Sequence, residues 1–161
     1  MMTLVDSCVW SVALRRQEKH LSREQKQVKQ ELAELILEGR AQLIGAVRQE
    51  VLSGIRTDAQ YEQLRAFLRA FPDPRLTGED YEEAAATNNR CRAKGVTGSA
   101  TDFLICAVAM RRDWAIFTTD QDFVRYARCV PIQLYSPRIQ RDSGGVASTL
   151  RRGRVNTETS R

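Results

Sequence analysis

Acidic residues recur at the edges of apolar runs in this chain. Asp6 follows TLV, Glu50 follows LIGAVRQ, Asp102 precedes FLICAVA, and Asp120 follows WAIFTT. Charged side chains avoid burial unless they are paired or bind a metal, and ligands of open parallel α/β sheets lie outside the carboxyl ends of the strands. Carboxylates gathered there would repel one another by about 4 kcal/mol per close pair at an effective dielectric of about 20. The pattern therefore predicts a site for a divalent cation, and oxygen ligands favour Mg²⁺ or Mn²⁺ over zinc.

Each acid also has a purely structural explanation. Asp6 and Asp120 can cap the helices that follow them, and Asp102 has capping-box spacing from Ser99. Glu50 can lie in a solvated first turn. Jointly, these explanations account less well for the repeated position of acids beside apolar runs, so we favour the metal site.

Other active-site chemistries lack their residues. The sole histidine, His20, lies in a polar stretch, which argues against two-histidine RNA cleavage and against a Ser-His-Asp triad. No glycine-rich phosphate-binding motif follows the first apolar run. The cysteines are scattered without a CxxC pair, which predicts small buried thiols; they are Cys8, Cys91, Cys106 and Cys129.

Hydrophobic periodicity and capping signals predict alternating strands and helices. The strands are expected at 2–5, 42–47, 114–118 and 131–135, with a possible very short one at 75–76. The helices are expected at 7–16, 22–39, 57–71, 77–94, 99–110 and 121–128. This alternation is typical of βαβ units, so we expect an α/β fold with a parallel sheet.

Length and composition predict one folded domain with a basic tail. Residues 1–136 fit a single domain. Residues 137–161 lack periodicity and carry six Arg against two acids, which is +4 of the net +5, so we expect a flexible tail. The remaining basic residues around an acidic pocket suit a polyanionic ligand, and the same counts fit an ordinary mixed charged surface equally well. No apolar run reaches the ~18 residues of a membrane span and no signal segment is visible, which suggests a cytoplasmic protein.

Four blocks of the sequence resemble the PIN-domain ribonucleases. They are LVDSCVW, VRQEVLSG, GVTGSATDFLICAVA and AIFTTDQDF. Together they cover roughly residues 2–135 and are most similar to the VapC-type toxins of bacterial VapBC toxin–antitoxin pairs. The resemblance implies a PIN-like three-layer fold with a short central parallel β-sheet flanked by helices. It also implies a set of metal-binding and catalytic acids, which are Asp6, Glu50, Asp102 and Asp120, with Asp122 as a fifth. Two hydroxyl residues, Ser7 and Thr119, are implied as their neighbours.

The implied activity is hydrolysis of RNA phosphodiester bonds with Mg²⁺ or Mn²⁺ as cofactor. By this resemblance Asp6 and Asp120 are direct metal ligands, Asp102 binds directly or through water, and Glu50 activates the attacking water. Basic residues expected to hold flanking phosphates are Arg15, Arg16, Arg90, Arg92, Lys94 and Arg112. The implied partners are a small cognate antitoxin and a second copy of the chain. The dimer is expected to form through the apolar segments at 61–71 and 103–110.

Two alternatives remain open from the sequence. A catalytically weak PIN-like module would hold RNA or a partner protein without cleaving it. A DNA-directed enzyme like the larger 5′-nucleases is less compatible with a short chain that leaves little room for a threading arch. The sequence does not indicate which RNA is cleaved.

Overall fold

The computed structural model describes residues 1–138, which form a parallel four-stranded sheet between layers of helices. The strands are short: β1 spans Thr3–Val5, β2 Ala41–Gln42, β3 Ala115–Phe117 and β4 Gln133–Leu134. Their order across the sheet is β2-β1-β3-β4, and every pairing is parallel. The expected α/β three-layer fold is confirmed.

Seven α-helices connect and cover these strands within residues 1–138. They are α1 (Ser7–Arg15), α2 (Arg23–Leu37), α3 (Gly45–Leu52), α4 (Asp58–Leu68), α5 (Gly78–Ala93), α6 (Ala100–Arg112) and α7 (Asp122–Tyr126). A 3-10 turn at Glu18–His20 links α1 to α2. Helix starts follow the sequence signals closely. Ser22, Thr77 and Ser99 each form a capping box with the residue three positions on.

The centre of the core lies between the inner strands and α6. All three residues of β1 and of β3 are buried, and so is every residue of α6 from Phe103 to Ala109. A helix that is apolar all round must be enclosed by its own fold. The expected dimer surface at 103–110 was therefore wrong for this segment, because its apolar side chains already fill the core.

The second predicted strand, at 42–47, is a strand only at Gln42, and its second half is helix. Only Ala41–Gln42 pairs with β1, and α3 begins at Gly45. The apolar residues that suggested a strand, including Ile44 and Val47, are fully buried where α3 packs into the core. A short apolar run does not distinguish a strand from a buried helix, which explains the error. The possible strand at 75–76 was also wrong, since it is loop.

The chain adds strands first on one side of β1 and then on its other side. From β1 it crosses to β2 on one side, and it then returns to β3 on the other side of β1. At such a switch point the loops after the two central strands separate and leave a crevice at the carboxyl edge of the sheet. That crevice lies beyond Val5 and Phe117, which are register partners.

The end of the described chain is attached to α2. The Tyr135 hydroxyl donates to Glu31 Oε1 at 2.5 Å, and Arg138 Nε donates to the same oxygen at 2.8 Å. The predicted flexible tail at 137–161 thus begins with an attached residue. Its remainder, 139–161, lies outside the described residues.

Two further expectations concern the cysteines and membrane spans. All four thiols are free; Cys91 and Cys106 are buried, whereas Cys8 and Cys129 are partly exposed. Within the described part of the chain, no helix is long and apolar enough to cross a membrane.

Candidate active site

Asp6 lies at the base of the crevice, directly after β1. It is the N-cap of α1, and its side chain accepts the Ser7 backbone N–H through Oδ1 at 2.7 Å. The parallel register places Thr118 beside it, and the Thr118 hydroxyl donates to Asp6 Oδ2 at 2.7 Å. The Cys8 thiol donates to the same oxygen at 3.3 Å. Asp6 is only 4% exposed, so its orientation is closely defined.

The surroundings of Asp6 disfavour its negative charge. Burial raises the pKa of the Asp6 carboxyl, hydrogen bonds from Thr118, Cys8 and Ser7 oppose this shift, and the negative charge of Asp102 raises the pKa further. No lysine or arginine of residues 1–138 forms a salt bridge with Asp6. Within residues 1–138, this buried carboxylate therefore has no described basic partner.

Asp102 faces the same crevice from the first turn of α6. Its backbone N–H donates to Ser99 Oγ at 3.0 Å, which confirms the capping-box geometry. Both described donors to its carboxylate reach Oδ2: the Tyr126 hydroxyl at 2.8 Å and the Ser99 N–H at 3.4 Å. Oδ1 has no described donor among residues 1–138, so one oxygen is anchored and the other is open.

Asp120 and Asp122 continue the acidic group after β3. The Asp120 N–H donates to Thr118 Oγ1 at 3.0 Å, and Asp120 Oδ1 accepts the Asp122 N–H at 2.9 Å. Asp122 also pairs with Arg125 at 2.5 Å. Burial raises the pKa of the Tyr126 hydroxyl, as do its hydrogen bond to Asp102 and the charges of Asp102, Asp122 and Asp120. The charges of three predicted acids therefore act on one tyrosine hydroxyl, and Asp102 is the one described as hydrogen-bonded to it.

Glu50 has a different position. It is exposed in the second turn of α3 rather than at a strand end. No hydrogen bond or ion pair described for residues 1–138 connects its carboxylate to the other acids. Its predicted role in activating water remains a prediction.

Three residues of the site were missed from the sequence. Thr118, rather than the predicted Thr119, supplies the hydroxyl that joins Asp6 to the Asp120 backbone; Thr119 is exposed, and its N–H meets Cys8 Sγ at 3.4 Å. Cys8 was taken as a core thiol. The strand register would have identified Thr118, but no local signal identifies Tyr126, because its contact depends on α7 packing against α6.

Some of the predicted RNA-binding residues form salt bridges with acids of this protein, and others are exposed to solvent. Arg112 donates to both oxygens of Asp80, at 2.8 and 3.0 Å, and its guanidinium lies 5.7 Å from the Trp114 ring centre. Arg90 pairs with Glu83 at 2.8 Å. Arg112 is therefore committed to packing α6 against α5.

The remaining members of that set have weaker described contacts. Lys94 reaches the Arg128 carbonyl at 3.4 Å. Arg15, Arg16 and Arg92 are exposed. These three have the accessible guanidinium groups that phosphate binding requires.

The described side chains fit a hard cation by their chemistry, but they do not form an assembled cluster. In residues 1–138, no group of three or more His, Cys, Asp or Glu lies close enough to hold a metal ion. Asp6 and Asp102 nevertheless interact, and no basic residue of 1–138 is described between them. Asp102, with one oxygen held by protein donors and one without a described donor in that range, is suited to bind a metal, whereas both oxygens of Asp6 already accept hydrogen bonds.

The fold and this acidic crevice define a class of protein. The family model of the PIN domain matches residues 3–128. The chain belongs to the PIN domain family, whose members are generally nucleases.

Solved structures share this fold at low sequence identity. FitAcB from Neisseria gonorrhoeae aligns with a TM-score of 0.66 and 20% identity, covering 84% of this chain and 98% of that chain. VapBC2 from Rickettsia felis, bound to a DNA fragment from their promoter, aligns at 0.59 and 15%, covering 84% and 98%. A toxin–antitoxin complex from Klebsiella pneumoniae aligns at 0.54 and 18%, covering 75% and 89%. A search of curated protein sequences finds no match.

Proposed function

We propose that this protein is the toxin component of a type II toxin–antitoxin system and acts as a Mg²⁺- or Mn²⁺-dependent endoribonuclease. Family membership supports the nuclease class. The observation that carries the proposal is Asp6, which is buried at the sheet switch point next to Asp102 without a basic partner among residues 1–138. Simple binding of RNA does not require such a carboxylate. A catalytic cation would compensate its charge.

The side chains proposed to hold the cation are Asp6, Asp102 and Asp120, with Asp122 beside them. A bound Mg²⁺ or Mn²⁺ would supply polarisation of a phosphate oxygen and a lower pKa of bound water. Thr118 and the Ser7 N–H fix the two oxygens of Asp6. The N-termini of α1 and α6 point at the same crevice, and their partial positive charge favours an anionic phosphate there.

RNA is the proposed substrate. Glu50 is accessible to accept a proton from the attacking water, and the exposed Arg15, Arg16 and Arg92 are proposed to hold flanking phosphates. These exposed cations imply salt-sensitive binding. The proposal places the protein in the cytoplasm with its substrate.

The decisive experiment is cleavage of total RNA in Mg²⁺ or Mn²⁺ and in EDTA. Wild type should cleave only with the metal, and Asp6→Asn should be inactive in either condition. Asp58→Asn is the matched control, since Asp58 is exposed in the first turn of α4. Full cleavage in EDTA, or by Asp6→Asn, contradicts the proposal.

A catalytically weak binding module is the second candidate. It is favoured by the absence of a three-residue metal group in residues 1–138 and by the local caps that Asp102 and Asp120 form. An electrophoretic mobility shift on the same RNA separates the candidates. Metal-independent binding without any cleavage product would favour the module.

The proposed antitoxin would insert a cation into the crevice and lay an apolar segment beside it. An arginine suits the Asp6–Asp102 pair, because its planar guanidinium binds carboxylates through two nitrogens. A groove of about 490 Å³ opens beside the N-terminus of α6, with Tyr81, Ala84 and Leu104 among its lining residues. An amphipathic helix or an extended segment would fit such a groove.

Growth experiments test the toxin and antitoxin together. Expression of the chain alone should arrest growth, and co-expression of the neighbouring small gene should restore growth through a stable complex. Tyr81→Glu should weaken that complex, because a charge replaces the exposed ring at the groove. Harmless expression of the wild-type chain contradicts the toxin assignment.

A homodimer is the proposed state of the free protein. Helix α4 keeps exposed aromatic surface, since Tyr61 is 38% and Phe67 is 43% exposed. Light scattering at micromolar concentration tests this, with Phe67→Ser as the disrupting variant. A stable wild-type monomer contradicts the dimer.

A further inference from the structure

A buried tyrosine donates a hydrogen bond to one acid of the candidate site. Tyr126, on α7, is 0% exposed and donates its hydroxyl to Asp102 Oδ2 at 2.8 Å. The Ser99 N–H reaches the same oxygen. Both described donors thus hold Oδ2, and Oδ1 has no described donor within residues 1–138.

Aromatic packing fixes where this hydroxyl lies. The Tyr126 ring packs against Phe103 and against Phe123, with ring centres 5.2 Å apart in both pairs. Its backbone carbonyl accepts N–H groups from Cys129 at 2.8 Å and from Val130 at 3.0 Å. The ring therefore has little freedom to move away from Asp102.

A glycine makes room for the contact. A Cβ at Gly98 would lie 2.2 Å from the Tyr126 hydroxyl oxygen and 2.7 Å from Cζ. The φ angle of Gly98 lies outside the left-handed region, so the backbone itself does not require glycine. The close approach of Tyr126 is what excludes a side chain here.

We infer that Tyr126 is a positioning residue: it anchors Asp102 through Oδ2 so that Oδ1 faces the site proposed for the cation. This inference rests on the proposed function. Anchoring partners of metal-binding side chains contribute about 10- to 100-fold to metal affinity or activity.

The alternative is that Tyr126 only satisfies its own buried hydroxyl. A second tyrosine offers a matched control, because Tyr135 also donates to a poorly exposed carboxylate, Glu31, away from the acidic crevice. Tyr126→Phe and Tyr135→Phe each remove one hydroxyl and leave one carboxylate with one donor fewer. A structural role predicts similar behaviour of the two variants. A positioning role predicts that only Tyr126→Phe affects the site.

The experiment measures Mn²⁺ binding and RNA cleavage by the full chain. Binding is followed by the electron paramagnetic resonance signal of free Mn²⁺, which is independent of activity. Tyr126→Phe should weaken Mn²⁺ binding about 10-fold and lower kcat by a similar factor, with KM for RNA unchanged within about twofold. Tyr135→Phe should match wild type in all three quantities.

Gly98→Ala gives a second variant that retains the hydroxyl but displaces it. It should weaken Mn²⁺ binding in the same direction, so the inference remains testable if Tyr126→Phe does not fold. Wild-type Mn²⁺ binding in either soluble variant overturns the inference and leaves the proposed function standing. A wild-type protein that neither binds Mn²⁺ nor cleaves RNA overturns both.

Discussion

Two buried aspartates of this protein have opposite electrostatic surroundings. Asp80 is 1% exposed and Asp6 is 4% exposed. Arg112 contacts both oxygens of Asp80, Arg111 Nε adds a contact at 3.0 Å, and the Thr77 N–H adds another at 2.9 Å. Hydrogen bonds and charge from these partners hold the pKa of Asp80 well below its ordinary value, whereas burial raises the pKa of Asp6.

The difference separates a structural acid from a candidate functional one. Asp80 is fully neutralised by its own fold and joins α5 to α6. Asp6 receives hydrogen bonds from Thr118 and Ser7 but no basic side chain within residues 1–138, and it faces a second acid. Burial of an acid alone is therefore uninformative; what surrounds the acid indicates its role. The predictions below test this contrast.

The largest expected effect is on catalysis at Asp6. Asp6→Asn keeps the shape of the side chain but removes the charge that would hold a cation, which should lower kcat by about 10²–10³-fold. The free energy of unfolding without metal should not fall, because a buried charge that faces Asp102 is removed. Steady-state cleavage and urea unfolding measure the two quantities. An active Asp6→Asn protein would show that Asp6 has no catalytic role.

Metal binding should stabilise the folded protein through Asp6, and this stabilisation should not depend on Asp80. A ligand that binds only the folded state at about 100 times its Kd adds about 2.7 kcal/mol. Mn²⁺ should therefore raise the Tm of wild type and of Asp80→Asn, but not that of Asp6→Asn. Differential scanning fluorimetry with and without EDTA measures this. An equal rise in all three proteins would indicate non-specific binding.

Asp80→Asn should show the opposite pattern. It should reduce the free energy of unfolding at pH 7 by about 2 kcal/mol, less than a fully buried pair would contribute, because both arginines are partly exposed. The folded-state pKa is lowered from 3.8, so this stabilisation is fully present well above that pH and is lost progressively as the pH falls from there towards the lower folded-state pKa, which makes it partly lost at pH 3. Urea unfolding at pH 7 and pH 3 of both proteins tests the sign. A difference that persists unchanged at pH 3 contradicts the assignment.

The smallest expected effect concerns a third poorly exposed acid, Glu31. A chain that ends at Ser136 loses Arg138, which contacts Glu31 and Glu38, and leaves the Tyr135 hydroxyl as the described donor to Glu31, so its Tm should be slightly lower. A chain that ends at Gln140 keeps Arg138 and is the control. Equal Tm values for the two truncated chains would show that Arg138 does not contribute.

Local signals determined most of the elements. Ser22, Thr77 and Ser99 marked helix starts correctly, and Gly39 and Gly95 adopt the left-handed φ expected after a helix. The predicted element boundaries were wrong where the same apolar pattern fits both a strand and a helix. The run around Val47 enters α3, a helix that buries one face through Val47 and Val51, and the true strand is only two residues long.

The acidic residues could be identified from the sequence, but their environments could not. Residue type and position beside apolar runs predicted Asp6, Glu50, Asp102 and Asp120 as one group, since strand ends meet at one edge of a parallel sheet; Glu50 instead lies exposed on α3. From the sequence, Arg112 was expected to bind RNA phosphates, and no local signal indicated that it pairs with Asp80. That pairing depends on how α5 packs against α6.

The sequence by itself determined the fold class, because periodicity and caps act over a few neighbouring positions; its four motif blocks indicated the family by resemblance, and residue type identified the acids as candidates only. Only the tertiary structure decided which acid is neutralised, which hydroxyl supports Asp6 and which oxygen of Asp102 is open. Those outcomes depend on contacts such as Thr118 with Asp6 and Tyr126 with Asp102, which join residues 112 and 24 positions apart. Charge and hydrogen bonding depend on distance in space, and separation along the chain does not encode that distance.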